Sequence, residues 1–498
     1  MRPRRGNRGG KEGLTRRDFL GSALYSSSSL LLTPPILHGL LCRRAQAEGL
    51  TSWEGQYGLI HLHLSGGAGI WSWWAGKDAT GALMPLNTLP KHATSTSVLS
   101  APNGLFSGFG APMYHMLNST DASSTFTQSL LAQVSEANRP RIALCPVALR
   151  SQDDNVAANF SGVVPAANYS GLRGRVADSA GETASASGNN TVAMAINPLA
   201  SRLNPGSVSE IINAAAWSRT FLNDGQAAHT LLAKGIQDLT VAQGGRLGSS
   251  PGAGAIQAML AANATELVAR VVPPSGTAPD DMNPANDAEM RRIFGATNTG
   301  IANAANFANS ANAADIRVSV IYNVLKGTLG ASAMMLGGYD YHGDAGTSTR
   351  QRDALAGVLV GQILEAAAAL GPTTNRGLVL YITTDGGLAA TERTGILTTE
   401  SYWAGDRGQL SGAAIFVVNG AGLPTQVRTF FGALDPSNGQ VDDDLVVGGT
   451  DKRGAAVLMA NWLALNGKLD RLEAVLSMAG LTRAEIEKIR AEGMMFQL

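Results

Sequence analysis

Cysteine is almost missing from this chain: Cys42 and Cys145 are the only two among 498 residues. That excludes a disulfide framework and a thiolate-rich metal cluster. Histidine is scarce too, at seven residues, one of which (His38) lies in a basic N-terminal segment. The other six are His61, His63, His92, His115, His229 and His342, too few for a centre that draws many imidazoles from many strands. No segment repeats at a fixed period, which excludes a solenoid or propeller array. The glycine-rich stretch Ser65–Gly69 has neither the lysine of a phosphate-binding loop nor GxGxxG spacing. Asp442, Asp443 and Asp444 lack the alternating spacing of a calcium loop and read as a solvated turn.

What is present begins with Thr15-Arg16-Arg17-Asp18-Phe19-Leu20, the pattern of a twin-arginine export signal. An apolar run follows from Phe19 to Leu41, diluted by Ser26 to Ser29 and interrupted by Pro34 and Pro35, so it makes a poor transmembrane helix. Arg43 and Arg44 precede Ala45-Gln46-Ala47, a small-x-small cleavage site. The expectation is a signal peptide over residues 1–47, a mature chain starting near Glu48 with no transmembrane span, and delivery to the periplasm or cell exterior. Export in the folded state suits a protein that takes up a metal or cofactor first. Cleavage removes Cys42, whose neighbours Gly39-Leu40-Leu41 depart from a lipoprotein signal, and leaves Cys145 alone in the apolar run Ile142–Pro146, where it reads as a small buried hydrophobe. It also removes nine of 38 basic and two of 38 acidic residues, leaving 29 against 36 and a net charge of −7. A mildly acidic mature chain argues against nucleic acid as a partner.

The length admits several domains or one large α/β domain. Gly58–Leu64 ends in strict alternation, Ile60, Leu62 and Leu64 against His61 and His63, and predicts a first strand. The two histidines read as hydrogen-bonded sheet residues, although a His-x-His pair on a strand is also a metal-binding pattern in amidohydrolases. A second strand is expected over 140–149. Residues 151–205, rich in Gly, Ala, Ser and Asn, read as a surface excursion, and 207–330 as mainly helical. Strands are expected at Ser332–Leu336, Leu378–Thr383 and Ala413–Val418, with a helix from Arg352 to Leu370 stopped by Gly371-Pro372. Strand, helix, strand at this spacing implies a parallel crossover. Helices at 453–466 and 482–492 close the chain, the last opening on a Thr482-x-x-Glu485 capping box. The predicted fold class is α/β with a mostly parallel central sheet flanked by helices. The expected divisions are a domain over 48–470, carrying insertions near 151–205 and 207–330, and a helical tail over 471–498.

Polar groups gather where open α/β sheets place their sites, at strand ends. These segments are Ser65-Gly66-Gly67, Gly338-Tyr339-Asp340-Tyr341-His342, Thr383-Thr384-Asp385-Gly386-Gly387 and Gly405-Asp406-Arg407-Gly408. Asp340 and His342, two apart in an extended segment, face the same way and can share a divalent ion. Asp385, followed by two glycines, is free to approach the same ion. The plainer reading makes Asp340 and Asp385 caps and His342 a packed surface residue.

The order of these motifs, from twin arginine through the Gly-Gly loop and Gly-aromatic-Asp-x-His to the acidic turn and Gly-Asp-x-Gly, resembles domain of unknown function family 1501. That family is similar to the alkaline phosphatase/sulfatase superfamily. The resemblance spans roughly residues 55–465, and Gly338–His342 is its most specific piece. It implies an alkaline phosphatase/sulfatase-like sheet with metal held at strand ends by Asp340, His342, Asp385 and Asp406. Arg407 stands where the family has His, and no acid follows the Gly-Gly loop until Asp78. A guanidinium at that position disfavours a second metal and suits bidentate binding of an anionic oxygen. The resemblance therefore implies a hydrolase of phosphate or sulfate esters with a reduced metal site, Ser65 being the candidate nucleophile by position. The alternative is a catalytically degenerate periplasmic or surface protein that binds a glycan or protein partner through Trp53, Trp71, Trp73 and Trp74. A cluster of tryptophans is more often packing than a binding surface.

Overall fold

The computed structural model describes residues 56–70, 73, 125–150, 175–180, 202–203, 205–212, 279–339, 347–374, 376–384, 410–428, 431–432, 446–447, 451–478 and 481–497. Residues 1–47, where the sequence predicts an export signal, lie outside these. Seven strands, β1 (Tyr57–Leu64), β2 (Ile142–Arg150), β3 (Arg175–Ala180), β4 (Arg202–Leu203), β5 (Leu329–Leu336), β6 (Gly377–Thr384) and β7 (Leu410–Asn419), form one sheet in the order β2-β7-β6-β1-β5-β3-β4. Pairing is parallel from β6 through β1, β5 and β3 to β4, and antiparallel only on the two sides of β7. The chain is thus mixed α/β with a mostly parallel sheet, as the alternating strand and helix patterns predict.

Helices cover both faces, which the strand sequences require because both of their alternating sets are apolar. Ile60, Leu62 and Leu64 of β1 join one core with α1 (Thr125–Gln133), α2 (Ala288–Phe294), α3 (Ala304–Ala308), α4 (Ala313–Lys326) and α5 (Thr347–Thr374). Tyr57 and Leu59 join the other, with α6 (Asp451–Leu465), α7 (Leu472–Met478) and α8 (Arg483–Glu492). The C-terminal helices contribute Leu472, Val475, Ile486 and Ile489 to that second core. The Thr482–Glu485 capping box forms as expected. Cys145 is fully buried and free, and burial raises its thiol pKa well above the ordinary value.

The β5–α5–β6 crossover exists, but α5 does not stop at Gly371-Pro372; it runs from Thr347 to Thr374 with Pro372 inside it. Proline has no N–H to donate to the Ala368 carbonyl four residues back. The Arg141 guanidinium donates to that carbonyl at 3.2 Å instead, so the missing bond is replaced from outside the helix. We expect Arg141→Met to cost about 1–2 kcal/mol in urea unfolding, from loss of this charged hydrogen bond; an unchanged unfolding midpoint would contradict this role for Arg141. Over Gln351–Thr374 the helix is long and apolar enough to cross a membrane by length and composition alone, and most of it is buried inside the protein. Its close approach to α1 is a glycine effect. A Cβ at Gly357 or Gly361 would strike the backbone carbonyl of Phe126 or Leu130.

Two further local differences have simple causes. The segment 151–205 holds β3 and β4, which the sequence conceals because Arg-Val-Ala-Asp-Ser-Ala has no apolar alternation. This strand is held by backbone pairing, to β5 in an irregular register on one side and to the two-residue edge strand β4 on the other. In the Ala/Asn-rich patch, Asn303 and Asn312 are N-caps whose side chains accept from Asn306 and Ala314 N–H and set the starts of α3 and α4.

Candidate functional site

The carboxyl ends of the three central strands are level. Leu64 of β1 pairs with Thr384 of β6 on one side and with Leu336 of β5 on the other. Because β7 is antiparallel, with Ile382 opposite Ala414, its first residue Leu410 lies at this same edge, paired there with Arg150, the last residue of β2. The last residues of β1, β2, β5 and β6 and the first residue of β7 therefore stand along one edge of the sheet.

The turn after β1 is tied to both neighbours. Ser65 N–H donates to Leu336 O at 2.9 Å, and Ser65 O accepts from Tyr339 N–H at 3.0 Å. On the other side the Thr384 hydroxyl donates to Leu64 O at 2.7 Å and accepts from Ala68 N–H at 2.6 Å. Gly66 and Gly67 turn the chain with φ of 117° and 95°, a region that side chains with a Cβ avoid. Beyond the turn, Trp73 is fully buried and stacked on Phe126 with ring centroids 3.7 Å apart. Its indole N–H donates to Asp353 Oδ1 at 2.9 Å. The Tyr339 hydroxyl donates to Arg352 O at 3.1 Å, so the turn and the segment after β5 both attach to the first turns of α5. Burial, and then the negative charge of Asp353, raise the Tyr339 phenol above its ordinary range.

Just inside the edge, on the face that holds Tyr57 and Leu59, two imidazoles share one hydroxyl. Thr383 Oγ1 lies 2.8 Å from His61 Nε2 and 3.0 Å from His63 Nδ1. All three side chains are fully buried. The His61 ring lies 5.5 Å from the Tyr381 ring and 6.1 Å from His63, centroid to centroid. Its second nitrogen, Nδ1, has no hydrogen-bond partner. Burial first, and then the charge His63 can carry, push the His61 pKa down to about 3, so this imidazole is neutral at physiological pH.

Of the residues singled out in the sequence, Ser65 lies at the edge and is buried at 8% exposure. Asp340, His342, Asp385, Asp406 and Arg407 lie outside the described residues, as do Trp53, Trp71 and Trp74. Tyr339 and Thr384, which immediately precede Asp340 and Asp385, and Leu410, three residues after Arg407, stand at the common edge. Trp73 is core packing, which removes it from an exposed aromatic surface. His61 and His63 are hydrogen-bonded sheet residues, as their alternation leads one to expect. The bridging part of Thr383 was not legible; its only signal was a hydroxyl residue at the end of a strand otherwise apolar. Among the described residues no group of three His, Cys, Asp or Glu side chains is placed to hold a metal ion. Comparison with family models, with curated proteins and with solved structures finds no match for this chain.

Proposed function

We propose that the protein is an exported hydrolase of phosphate or sulfate esters, with its site at the carboxyl edge of β6-β1-β5 and an alkaline phosphatase/sulfatase-like arrangement of its sheet. The observation that carries this reading is the level, shared edge, since parallel α/β sheets bind ligands outside the carboxyl ends of their strands. The antiparallel β7 starts at this edge with Leu410, three residues after Arg407, which supports drawing Asp406 and Arg407 into the proposal. In the proposal Asp340, His342, Asp385 and Asp406 hold one divalent ion, and Arg407 holds an anionic ester oxygen in a two-point hydrogen bond.

Three carboxylates and one imidazole suit a hard or borderline divalent cation, and when bound it would polarise the ester oxygen. The described residues do not by themselves complete a set of ligands, so the ion rests on those four positions. Ser65, fixed through its backbone to β5 on one side, is the nucleophile that position suggests.

Metal content of protein recovered from the exported fraction tests the proposal. The expected result is about one divalent ion per chain, lost in an Asp340→Ala, His342→Ala double variant that remains folded, together with turnover of a 4-nitrophenyl phosphate or sulfate. A metal-free wild-type protein that turns over neither ester would overturn the hydrolase. The outcome would then favour the second reading, a scaffold that binds a glycan or protein partner.

A further inference from the structure

Gly66 and Gly67 give the turn after β1 little conformational preference of its own, since glycine populates positive φ about as readily as negative. The path of such a turn depends on what holds its two ends. The Ser65 end is held on the β5 side by backbone bonds, Ser65 N–H to Leu336 O and Tyr339 N–H to Ser65 O. The Ala68 end is held on the β6 side by a side chain. The Thr384 hydroxyl lies 2.6 Å from Ala68 N and 2.7 Å from Leu64 O, and Leu64, Ala68 and Thr384 are all buried.

The protons around this hydroxyl admit one arrangement. A carbonyl oxygen can only accept and a backbone N–H can only donate. The Thr384 proton therefore goes to Leu64 O, and a hydroxyl lone pair takes the Ala68 N–H. One hydroxyl thus joins the last residue of β1 to the far end of the turn, and both to the last residue of β6. A valine in its place has the same shape and can make neither bond, so the buried Ala68 N–H loses its acceptor. A serine can make both.

Thr384 also stands immediately before Asp385 in the chain. Its backbone leads into one proposed metal ligand while its side chain sets the turn that carries the proposed nucleophile. We propose that Thr384 is a positioning residue, whose hydroxyl clamps the Ser65–Ala68 turn to the end of β6 and so fixes Ser65 relative to the start of the Asp385 segment. The β5 bonds tie the turn to one neighbour of β1, and the hydroxyl adds the tie to the other. The use of that spacing in ester cleavage rests on the hydrolase proposed above; the clamp does not. Displacing an attacking oxygen by about 1 Å costs on the order of 100-fold in rate, so the clamp is felt in kcat rather than in substrate binding.

Two measurements on the full mature protein test this. In amide hydrogen exchange the wild-type Ala68 N–H is expected to be protected. Thr384→Val is expected to speed its exchange about tenfold or more while the Ile60 and Leu62 amides of β1 stay protected, and Thr384→Ser to keep the slow rate. An Ala68 amide that exchanges freely in the wild type, or equally fast in wild type and Thr384→Val, would overturn the clamp. Should Thr384→Val fail to fold, the wild-type and Thr384→Ser rates still decide it. In turnover of 4-nitrophenyl phosphate or sulfate, Thr384→Val is expected to lower kcat about 10- to 100-fold with KM and metal content little changed, and Thr384→Ser to recover most of it. Equal kcat in Thr384→Val and wild type, or a Thr384→Ser protein as slow as Thr384→Val, would overturn the positioning role. A wild-type protein inert toward both esters would sink the hydrolase and that role with it, while exchange would still decide the clamp.

Discussion

His61→Asn protein is expected to lose about one proton's worth of acid sensitivity from its folding equilibrium. The folded pKa of His61 is about 3, against an ordinary 6.5. Below pH 6.5 the unfolded chain takes up a proton that the folded protein refuses. The sign is therefore fixed: the contribution is whole above pH 6.5, falls as pH drops through the window between 6.5 and about 3, and is gone below it. The slope is about 1.4 kcal/mol per pH unit, and the full span amounts to about 5 kcal/mol.

A second buried acid group limits where the measurement is clean. Burial alone would raise the Glu365 carboxyl, but hydrogen bonds from Asn138, Ser135 and Arg292 outweigh it and hold the group below 4.5. Its stabilisation is therefore lost only at lower pH, as the solution falls through the depressed folded value. Between pH 6.5 and 4.5 the His61 term stands apart. Urea unfolding of wild type and His61→Asn at several pH values in that interval would measure it. Parallel curves would show that the buried imidazole takes up its proton in the folded state, contrary to the environment described.

The second large effect is expected at Trp73. Trp73→Ala should cost about 4 kcal/mol, because it empties a fully buried site stacked on Phe126. It also removes the indole donor from Asp353, a carboxylate with no exposed surface. Trp73→Phe separates these terms. It keeps an aromatic ring against Phe126 and loses the hydrogen bond and part of the indole volume, so its cost should be lower, about 1–3 kcal/mol. Chemical denaturation of both variants measures the difference. A Trp73→Ala protein within 1 kcal/mol of wild type would show that this indole is not core packing, and would return it to the candidate binding surface. The consequence reaches the site, because Trp73 joins the chain after the Gly66-Gly67 turn to α5, the helix that also receives the Tyr339 hydroxyl.

Several elements were legible in the sequence because their causes are local. The alternation in Gly58–Leu64 marks β1, and the order of threonine and glutamate marks the start of α8. The apolar run around Cys145 marks a buried strand. Other features depend on partners far away in the chain. Helix α5 continues through Pro372, and Arg141, more than two hundred residues earlier, donates to the carbonyl that the proline leaves without its helical partner. Strand β3 is held by backbone pairing to β5 and leaves no apolar trace.

The same division runs through the candidate site. The sequence by itself determined that polar residues cluster at strand ends and that His61 and His63 share a face of β1. Alternation fixes faces residue by residue. Only the tertiary structure decided which strand ends are neighbours. It inserted β1 between β5 and β6 and turned β7 around, so that the ends of five strands stand along one edge. It also put Thr383 of β6 opposite His63, where one hydroxyl meets two imidazoles. Strand order and register are set by which apolar faces pack together across hundreds of residues, and no local pattern encodes that choice.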